Sequence, residues 1–333
     1  MGYLIPVSLV FVLSNFNSLV LWIMLEVISL YVLFLVLRHS VRDVNMLGVV
    51  YYFLVQGVGG ALLVFGIIYE LGLYGNVYFA QVPLSYVGLC CGLGGLLMKM
   101  GLYPFYFWVV RVYKLLEGVQ CYYVAVYPKI FPLIFLYGLM DVVGMGFFFF
   151  GGFSILLSGF LGLLVSDVRE FMGLSSIGHG GWMLFCFFGG FMLLVIYFIV
   201  YYVCNYVFFN MMYGRGFGLF IGFGRGRLMM GISFVLFFVV MNLGGFAPSV
   251  GFILKLYIVT EVLGNWGLIS CVILLFLTVA GIFFYVRFIQ FLYNVNCNYQ
   301  VIRVVSWKRW FRGCVQTGLL LFMIVLFWGL IVI

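Results

Sequence analysis

Three lysines, Lys99, Lys129 and Lys255, lie within apolar runs of this sequence: LLMKMGLYPFYFW (96–108), YPKIFPLIFL (127–136) and GFILKLYIVTEVL (251–263). A charged side chain in hydrocarbon is costly, by about 3 kcal/mol on insertion scales, so a cation that persists there marks a function. No arginine shares that setting. Arginine keeps its proton in proteins, whereas a buried lysine gives it up readily. The apolar interior of this chain therefore holds the basic residue that can exchange a proton. Glu26, in WIMLEVISL, is the acid nearest the middle of such a run, and His179, in LSSIGHGGWML, is the one histidine inside one. A buried carboxylate beside a buried lysine can hold or release a proton according to their separation; the plainer alternative is a fixed ion pair that sets helix packing. Imidazole, with an ordinary pKa of about 6.5, suits a relay, and Ser175 and Ser176 are near enough in sequence to carry hydrogen bonds or water. Its plainer alternative is a neutral ring bonded to a backbone carbonyl.

These side chains need elements that hold them in a membrane. The 333 residues are 67% hydrophobic and 7% charged, against roughly 25% charged in soluble domains. Lipid accepts only helices or closed barrels as spanning elements. Apolar runs of about twenty residues, rather than ten-residue alternating segments, predict an all-α polytopic membrane protein. About eleven candidate spans fall at 3–16, 18–37, 47–69, 84–104, 121–140, 146–165, 172–190, 191–213, 229–260, 265–286 and 314–333, in a single membrane domain. Segment 3–16 covers about 21 Å at 1.5 Å per residue, short of a hydrocarbon core of about 30 Å; it is either a tilted or half-length span or an anchor. Segment 229–260 would reach about 48 Å if continuous. The stretch GGFAPSVG, with Gly244, Gly245, Pro248 and Gly251, is expected to break it into two half-helices, a form that marks transport sites.

Alternating the loops from the N-terminus puts Arg38, Arg42, Arg111, Lys114, Arg169, Arg215, Arg225, Arg227, Arg287, Arg303, Lys308, Arg309 and Arg312 on one side. None falls on the other. That bias is what the positive-inside rule predicts for an odd number of spans. Thirteen of the sixteen basic residues are so accounted for, and the remaining three are the lysines above.

Other signals exclude function classes. The eight cysteines (90, 91, 121, 186, 204, 271, 297 and 314) form no CxxC pair and no Cys/His cluster, so neither a disulfide framework nor a metal or iron–sulfur site is expected. GRGFGLFIGFGRGR (214–227) follows no strand and lacks the GK[ST] ending of a phosphate loop, so it reads as a basic loop, with no nucleic acid or nucleotide expected. RVVSWKRWFRG (303–313) suits membrane lipid at the interface. The N-terminus shows neither a signal peptide nor a transit peptide. Abundant Phe, Gly, Val and Tyr with scarce Pro and His point to a strand-biased, organelle-like genome.

Taken in order, several stretches resemble the subunit-2 family of antiporter-like membrane subunits of respiratory NADH:ubiquinone oxidoreductase (complex I). WIMLEVISL resembles the segment with a central glutamate, and YYFLVQGVGGALLVFG the helix that follows. LLMKMGLYPFYFW is similar to LKxGxxPFHFW, YPKIFPLIFL to QKxxP, VREFMGLSSIGHGGWML to LRKxxAYSSIxHxGWM, and MNLGGFAPSVGFILKLYIVTEVL to LSxGGLPPxxGFxPKWxxxxE. Departures are Tyr106 for the histidine of PFHFW, Val110-Arg111 for Pro-Glu, Glu170 where lysine is common, and Ala247 for a proline.

The resemblance implies antiporter-like inverted repeats, each with a discontinuous helix, broken in the first repeat near Pro104. It implies a proton-translocation set: Glu26 paired with Lys99 at the start of one half-channel, Lys129 on the central axis, His179 along it, and Lys255 on the second broken helix. It implies no catalytic residue, cofactor or metal on this chain. NADH, FMN, iron–sulfur clusters and ubiquinone would belong to partner subunits of the membrane arm and beyond. The place implied is the mitochondrial inner membrane, with the N-terminus and basic loops on the matrix side. An independent cation/proton antiporter, and a structural membrane subunit with relic charges, are the alternatives.

Overall fold

In the computed structural model, described over residues 18–38, 43–74, 85–212 and 230–297, the chain is a bundle of helices. They are α1 (Ser18–Arg38), α2 (Asp43–Tyr74), α3 (Tyr86–Met100), α4 (Phe107–Leu115), α5 (Gly118–Val126), α6 (Ile130–Gly138) and α7 (Met140–Leu164). After them come α8 (Val168–Phe185), α9 (Phe191–Met212), α10 (Met230–Gly244), α11 (Val250–Trp266) and α12 (Leu268–Cys297). Seven stretches among the described residues are long and apolar enough to cross a membrane: α1, most of α2, residues 118–138, α7, residues 168–189, α9 and most of α12. Two further crossings are made of paired half-helices, α3 with α4 and α10 with α11. The expected segments 3–16 and 314–333, the glycine-rich loop 214–227 and the stretch 303–313 lie outside the described residues.

Contacts fix which helix ends lie together. Gln120 donates to the Val36 carbonyl at 3.1 Å, Arg111 to the Tyr51 hydroxyl at 3.3 Å, and Arg169 to the Leu116 carbonyl at 3.0 Å. Lys114 pairs with Glu170 at 2.8 Å, and Arg287 donates to the Leu163 carbonyl at the end of α7. Arg38, at the end of α1, lies at this same end. The Glu70 carboxylate accepts from the Ser85 backbone N–H at 2.9 Å, and Asn265 donates to the Phe188 carbonyl at 3.3 Å, at the other end. All basic residues placed here and expected on one side therefore share one end of the bundle. Arg42, Arg215, Arg225, Arg227, Arg303, Lys308, Arg309 and Arg312 lie outside the described residues. The ordering of ends also shows that the two broken crossings run in opposite directions, as inverted repeats require: α3–α4 runs toward the basic end and α10–α11 away from it.

At the centre stands α8. Every residue from Phe171 to Phe185 is buried, and the helix packs against α4, α5, α7, α9 and α11. Its sequence explains why it can. Between lipid-soluble helices there is little hydrophobic drive, so close contact depends on small side chains. Gly178 and Gly181 of α8 face Ser158, Ser154 and Gly151 of α7 with no room for a Cβ. Phe171 stacks on Phe284 and Phe288 at ring-centroid distances of 4.0 and 4.9 Å, joining α8 to α12.

Candidate functional site

Both broken crossings end their first half in the same way. At α3 the Gly101 N–H bonds back to Met98 and the Leu102 N–H to Leu97 (3.1 and 3.0 Å), with Gly101 at φ 70°. At α10 the Gly245 N–H bonds to Asn242 and the Phe246 N–H to Met241 (3.2 and 3.1 Å), with Gly245 at φ 74°. This is the glycine-ended helix stop, in which a left-handed residue turns the chain back over its last carbonyls. In each case a proline, Pro104 or Pro248, follows three residues later, its X-Pro bond cis. Of the residues expected to break the second crossing, Gly245 and Pro248 lie in the break itself. Gly244 is the last residue of α10, and Gly251 sits in the first turn of α11, where its N–H donates to the Asn242 side chain at 2.7 Å. Gly251 is needed there because a Cβ would strike the Asn242 carbonyl.

Lys99 sits in the last turn of α3, 1% exposed, and its ammonium pairs with Glu26 of α1 at 2.6 Å. The Ser29 hydroxyl, one turn further along α1, donates to the Glu26 backbone carbonyl at 2.8 Å and lies 3.3 Å from the second carboxylate oxygen. Gly59 and Gly60 of α2 make room for the pair: a Cβ at Gly60 would collide with the Glu26 carboxylate, and one at Gly59 would press on the Lys99 stem. Glu26 is the less buried partner, with 29% of its side chain exposed beside Trp22, Gly57 and Phe65.

Lys129 occupies an irregularity the sequence reading did not place. The expected segment 121–140 is not one helix: Pro128, which lacks an N–H, lies in a 3-10 turn, Tyr127–Lys129, between α5 and α6. From this turn the Lys129 ammonium donates to the Ser176 carbonyl of α8 and lies 3.5 Å from the Tyr201 hydroxyl of α9. It also sits over the Tyr201 ring, 5.1 Å from its centroid. Ser176 thus acts through its backbone; its hydroxyl is turned to Gly173 at 2.7 Å.

Lys255, in the second turn of α11, donates to the Gly244 carbonyl at 2.9 Å and the Leu243 carbonyl at 3.3 Å. The indole of Trp182 lies 5.5 Å from its ammonium. A cation is favoured there because the C-terminal end of a helix carries about half a negative charge. All three lysines are thereby placed where a helix stops, turns or starts.

His179 is held by two tyrosines rather than by a backbone carbonyl. One ring nitrogen meets the Tyr197 hydroxyl at 2.9 Å and the other the Tyr285 hydroxyl at 3.1 Å, and Tyr285 in turn bonds to Ser175. His179, Tyr197, Tyr201 and Lys255 line one cavity, with Cys204 and Asn242, that has room for about one water molecule. The geometry thus gathers Lys129, His179 and Lys255 around α8 and α9, while Glu26 and Lys99 form a separate pair between α1, α2 and α3. Among the described residues no hydrogen bond joins the two groups. Sequence reasoning missed Tyr197, Tyr201 and Tyr285. Tyr197 and Tyr201 are four residues apart, so they share one face of α9, and that spacing in an apolar helix was the available signal.

A match to the family model of NADH:quinone oxidoreductase/Mrp antiporter membrane subunits extends over residues 16–282. NADH-ubiquinone oxidoreductase chain 2 of Pisaster ochraceus is 30% identical over 85% of this chain and 80% of its own length. The same-named chain of Branchiostoma floridae is 27% identical over 94% of this chain and 90% of its own. In fold, the chain is similar to a chain in the structure of respiratory complex I from Thermus thermophilus with bound aureothin, with a TM-score of 0.77 at 20% identity over 96% of this chain and 75% of that one. The chain therefore belongs to the NADH:quinone oxidoreductase/Mrp antiporter family of membrane proteins, among the chain 2 subunits of NADH-ubiquinone oxidoreductase.

Proposed function

We propose that this chain is a proton-translocating membrane-arm subunit of mitochondrial NADH:ubiquinone oxidoreductase, and that its protons pass through Glu26, Lys99, Lys129, His179 and Lys255. The observation that carries this reading is the setting of Lys129 and Lys255. Each is at most 6% exposed and held by neutral groups alone, carbonyls and an aromatic face. A permanent charge in such a place is expensive, whereas a group that alternates between ammonium and amine needs surroundings that tolerate both. Lys99 differs in having the Glu26 carboxylate to favour its charged form. Separating or neutralising that pair drives the Lys99 proton toward Lys129. From there it passes by hydroxyls and water to Lys255, with the work supplied elsewhere. Moving one charge against 100 mV takes about 2.3 kcal/mol.

In this reading the chain is part of a translocating oxidoreductase but holds no redox centre and no metal. NADH, FMN, iron–sulfur clusters and ubiquinone are bound by partner subunits. Its partners are the other membrane-arm and accessory subunits and the surrounding lipid. It resides in the mitochondrial inner membrane, with the basic end of the bundle toward the matrix, by the positive-inside rule. Lys129→Met in the assembled complex tests the reading. Acidification per NADH oxidised should fall while NADH oxidation by an artificial acceptor persists; an unchanged proton yield rejects it. The family model also embraces Mrp antiporters. That favours one second reading, an independent cation/proton exchanger, which predicts exchange by the purified chain alone in liposomes.

A further inference from the structure

Lys129 and Lys255 each face α8, yet they do not touch. Lys255 turns to the end of α10, and Lys129 to the Ser176 carbonyl. His179 lies between them but is engaged at both ring nitrogens, at 2.9 and 3.1 Å, by Tyr197 and Tyr285, and among the described residues neither nitrogen bonds to a lysine. A path from one lysine to the other needs a group that meets Lys129 on one side and the cavity beside Lys255 on the other. Tyr201 does both. Its hydroxyl lies 3.5 Å from the Lys129 ammonium, and it lines the cavity shared by His179 and Lys255.

The way that hydroxyl is held matters as much as its place. It donates to the Ala125 carbonyl at 3.3 Å and stands 3.5 Å from Lys129, both at the long end for hydrogen bonds. The hydroxyls on His179 are held more closely. Ala125 lies in the helix that ends at the 3-10 turn carrying Lys129, so the same irregularity presents both partners to one oxygen. Rotation about a single C–O bond redirects the proton from Ala125 to the cavity. The ring meanwhile stays packed against His179, at 5.2 Å between centroids.

We propose that Tyr201 is the relay residue that hands the proton from Lys129 into the cavity shared by His179 and Lys255. The inference rests on the proton-path reading given above. In the step, an N–H bond of the Lys129 ammonium breaks as an O–H bond forms on the tyrosine oxygen. The original tyrosine O–H bond breaks at the same time, and its proton passes to a water molecule in the cavity. Lysine is left as the amine, tyrosine as the neutral phenol, and the protonated water gives its charge to an unprotonated Lys255. No oxidant or reductant takes part.

The test uses inner-membrane vesicles carrying the whole complex, with Tyr201→Phe, Tyr201→His and Lys129→Met compared at equal complex content on native gels. The ring of phenylalanine keeps the packing and removes the hydroxyl; histidine restores a hydrogen-bonding group. The expected result is that Tyr201→Phe loses as much acidification per NADH as Lys129→Met, with oxidation by an artificial acceptor unchanged, and that Tyr201→His recovers part of it. A normal proton yield in Tyr201→Phe with a loss in Lys129→Met overturns the relay and leaves the proton path standing. A normal yield in Lys129→Met overturns the path itself. Where Tyr201→Phe does not assemble, Tyr201→His decides: a yield above that of Lys129→Met supports the relay. A yield as low, or failure of both to assemble, makes Tyr201 a packing residue and overturns it.

Discussion

The two broken crossings stop their first half-helix with the same glycine turn, but they satisfy the exposed carbonyls differently. In the first, the Lys99 carbonyl accepts from Gln56 at 3.2 Å and the Met98 carbonyl from the Trp108 indole at 2.9 Å. Neutral donors complete the helix end, and the Lys99 ammonium is released to pair with Glu26. In the second, the Leu243 and Gly244 carbonyls are met by the Lys255 ammonium itself. A helix leaves its last four carbonyls without internal partners, and in lipid each must find a donor. One break therefore has a lysine that is an ion-pair partner, and the other has a lysine that is the helix cap. Moving the proton off Lys99 strands a carboxylate. Lys255, once an amine, still has two N–H groups for the same two carbonyls.

The largest effect that can break this contrast is at Glu26. Glu26→Ala leaves the Lys99 ammonium buried with no counter-charge. Such a loss costs about 3–5 kcal/mol for fully buried pairs. The lower end, about 3 kcal/mol, is expected here because 29% of the Glu26 side chain is exposed and water screens part of the interaction. The readout is the temperature at which the assembled complex is lost from native gels. The double variant Glu26→Ala with Lys99→Met should regain much of the loss, since neither charge then stands alone. A double variant no better than the single one means that the pair does not act as an ion pair.

Much of this was legible in the sequence, for physical reasons that also mark where legibility stopped. An apolar run interrupted by GGFAPSVG is too long to cross once and holds the residues that end helices, so the break near Gly245 could be read directly. Lys99, Lys129 and Lys255 stood out because so few charges occur in apolar runs. Glu26 stood out as the central acid, but its partner had to come from resemblance, since α1 and α3 are far apart in sequence. The 3-10 turn at Lys129 went unread: YPKIFP carries two prolines, Pro128 in the turn and Pro132 inside α6, and prolines are tolerated within an intact span. The tyrosines around His179 went unread for another reason. The chain has 24 tyrosines, and which of them turn inward depends on helix rotation, which a helix apolar on all sides does not reveal.

A smaller effect sharpens the contrast at the second break. Lys255→Met removes the donor shared by the Leu243 and Gly244 carbonyls, and an unsatisfied buried group costs about 1–3 kcal/mol. About 2 kcal/mol is expected for the site, partly relieved if water follows. Lys99→Met leaves Gln56 and Trp108 in place, so that helix end stays capped and only the partly buried Glu26 loses its partner. Heat loss of the complex should be greater for Lys255→Met than for Lys99→Met. The reverse order would show that the ammonium is not the cap.

Substitutions at the two turning glycines separate stability from transport. An L-residue in the left-handed region costs about 1–2 kcal/mol, and that backbone term is shared by Gly101→Ala and Gly245→Ala. The added methyl differs in what it meets. At Gly101 it strikes the Val109 side chain and comes within 3.2 Å of the Trp108 ring, both packed in the core. At Gly245 it lies 2.9 Å from the Lys255 ammonium, the movable end of a long side chain. Gly101→Ala should therefore lose more heat stability, and Gly245→Ala more acidification per NADH. Such a crossed result cannot come from general loosening of the bundle, which would lower both readouts together in each variant. Parallel losses in the two variants would mean that the breaks serve packing alone, and that Lys255 does not need its place against the end of α10.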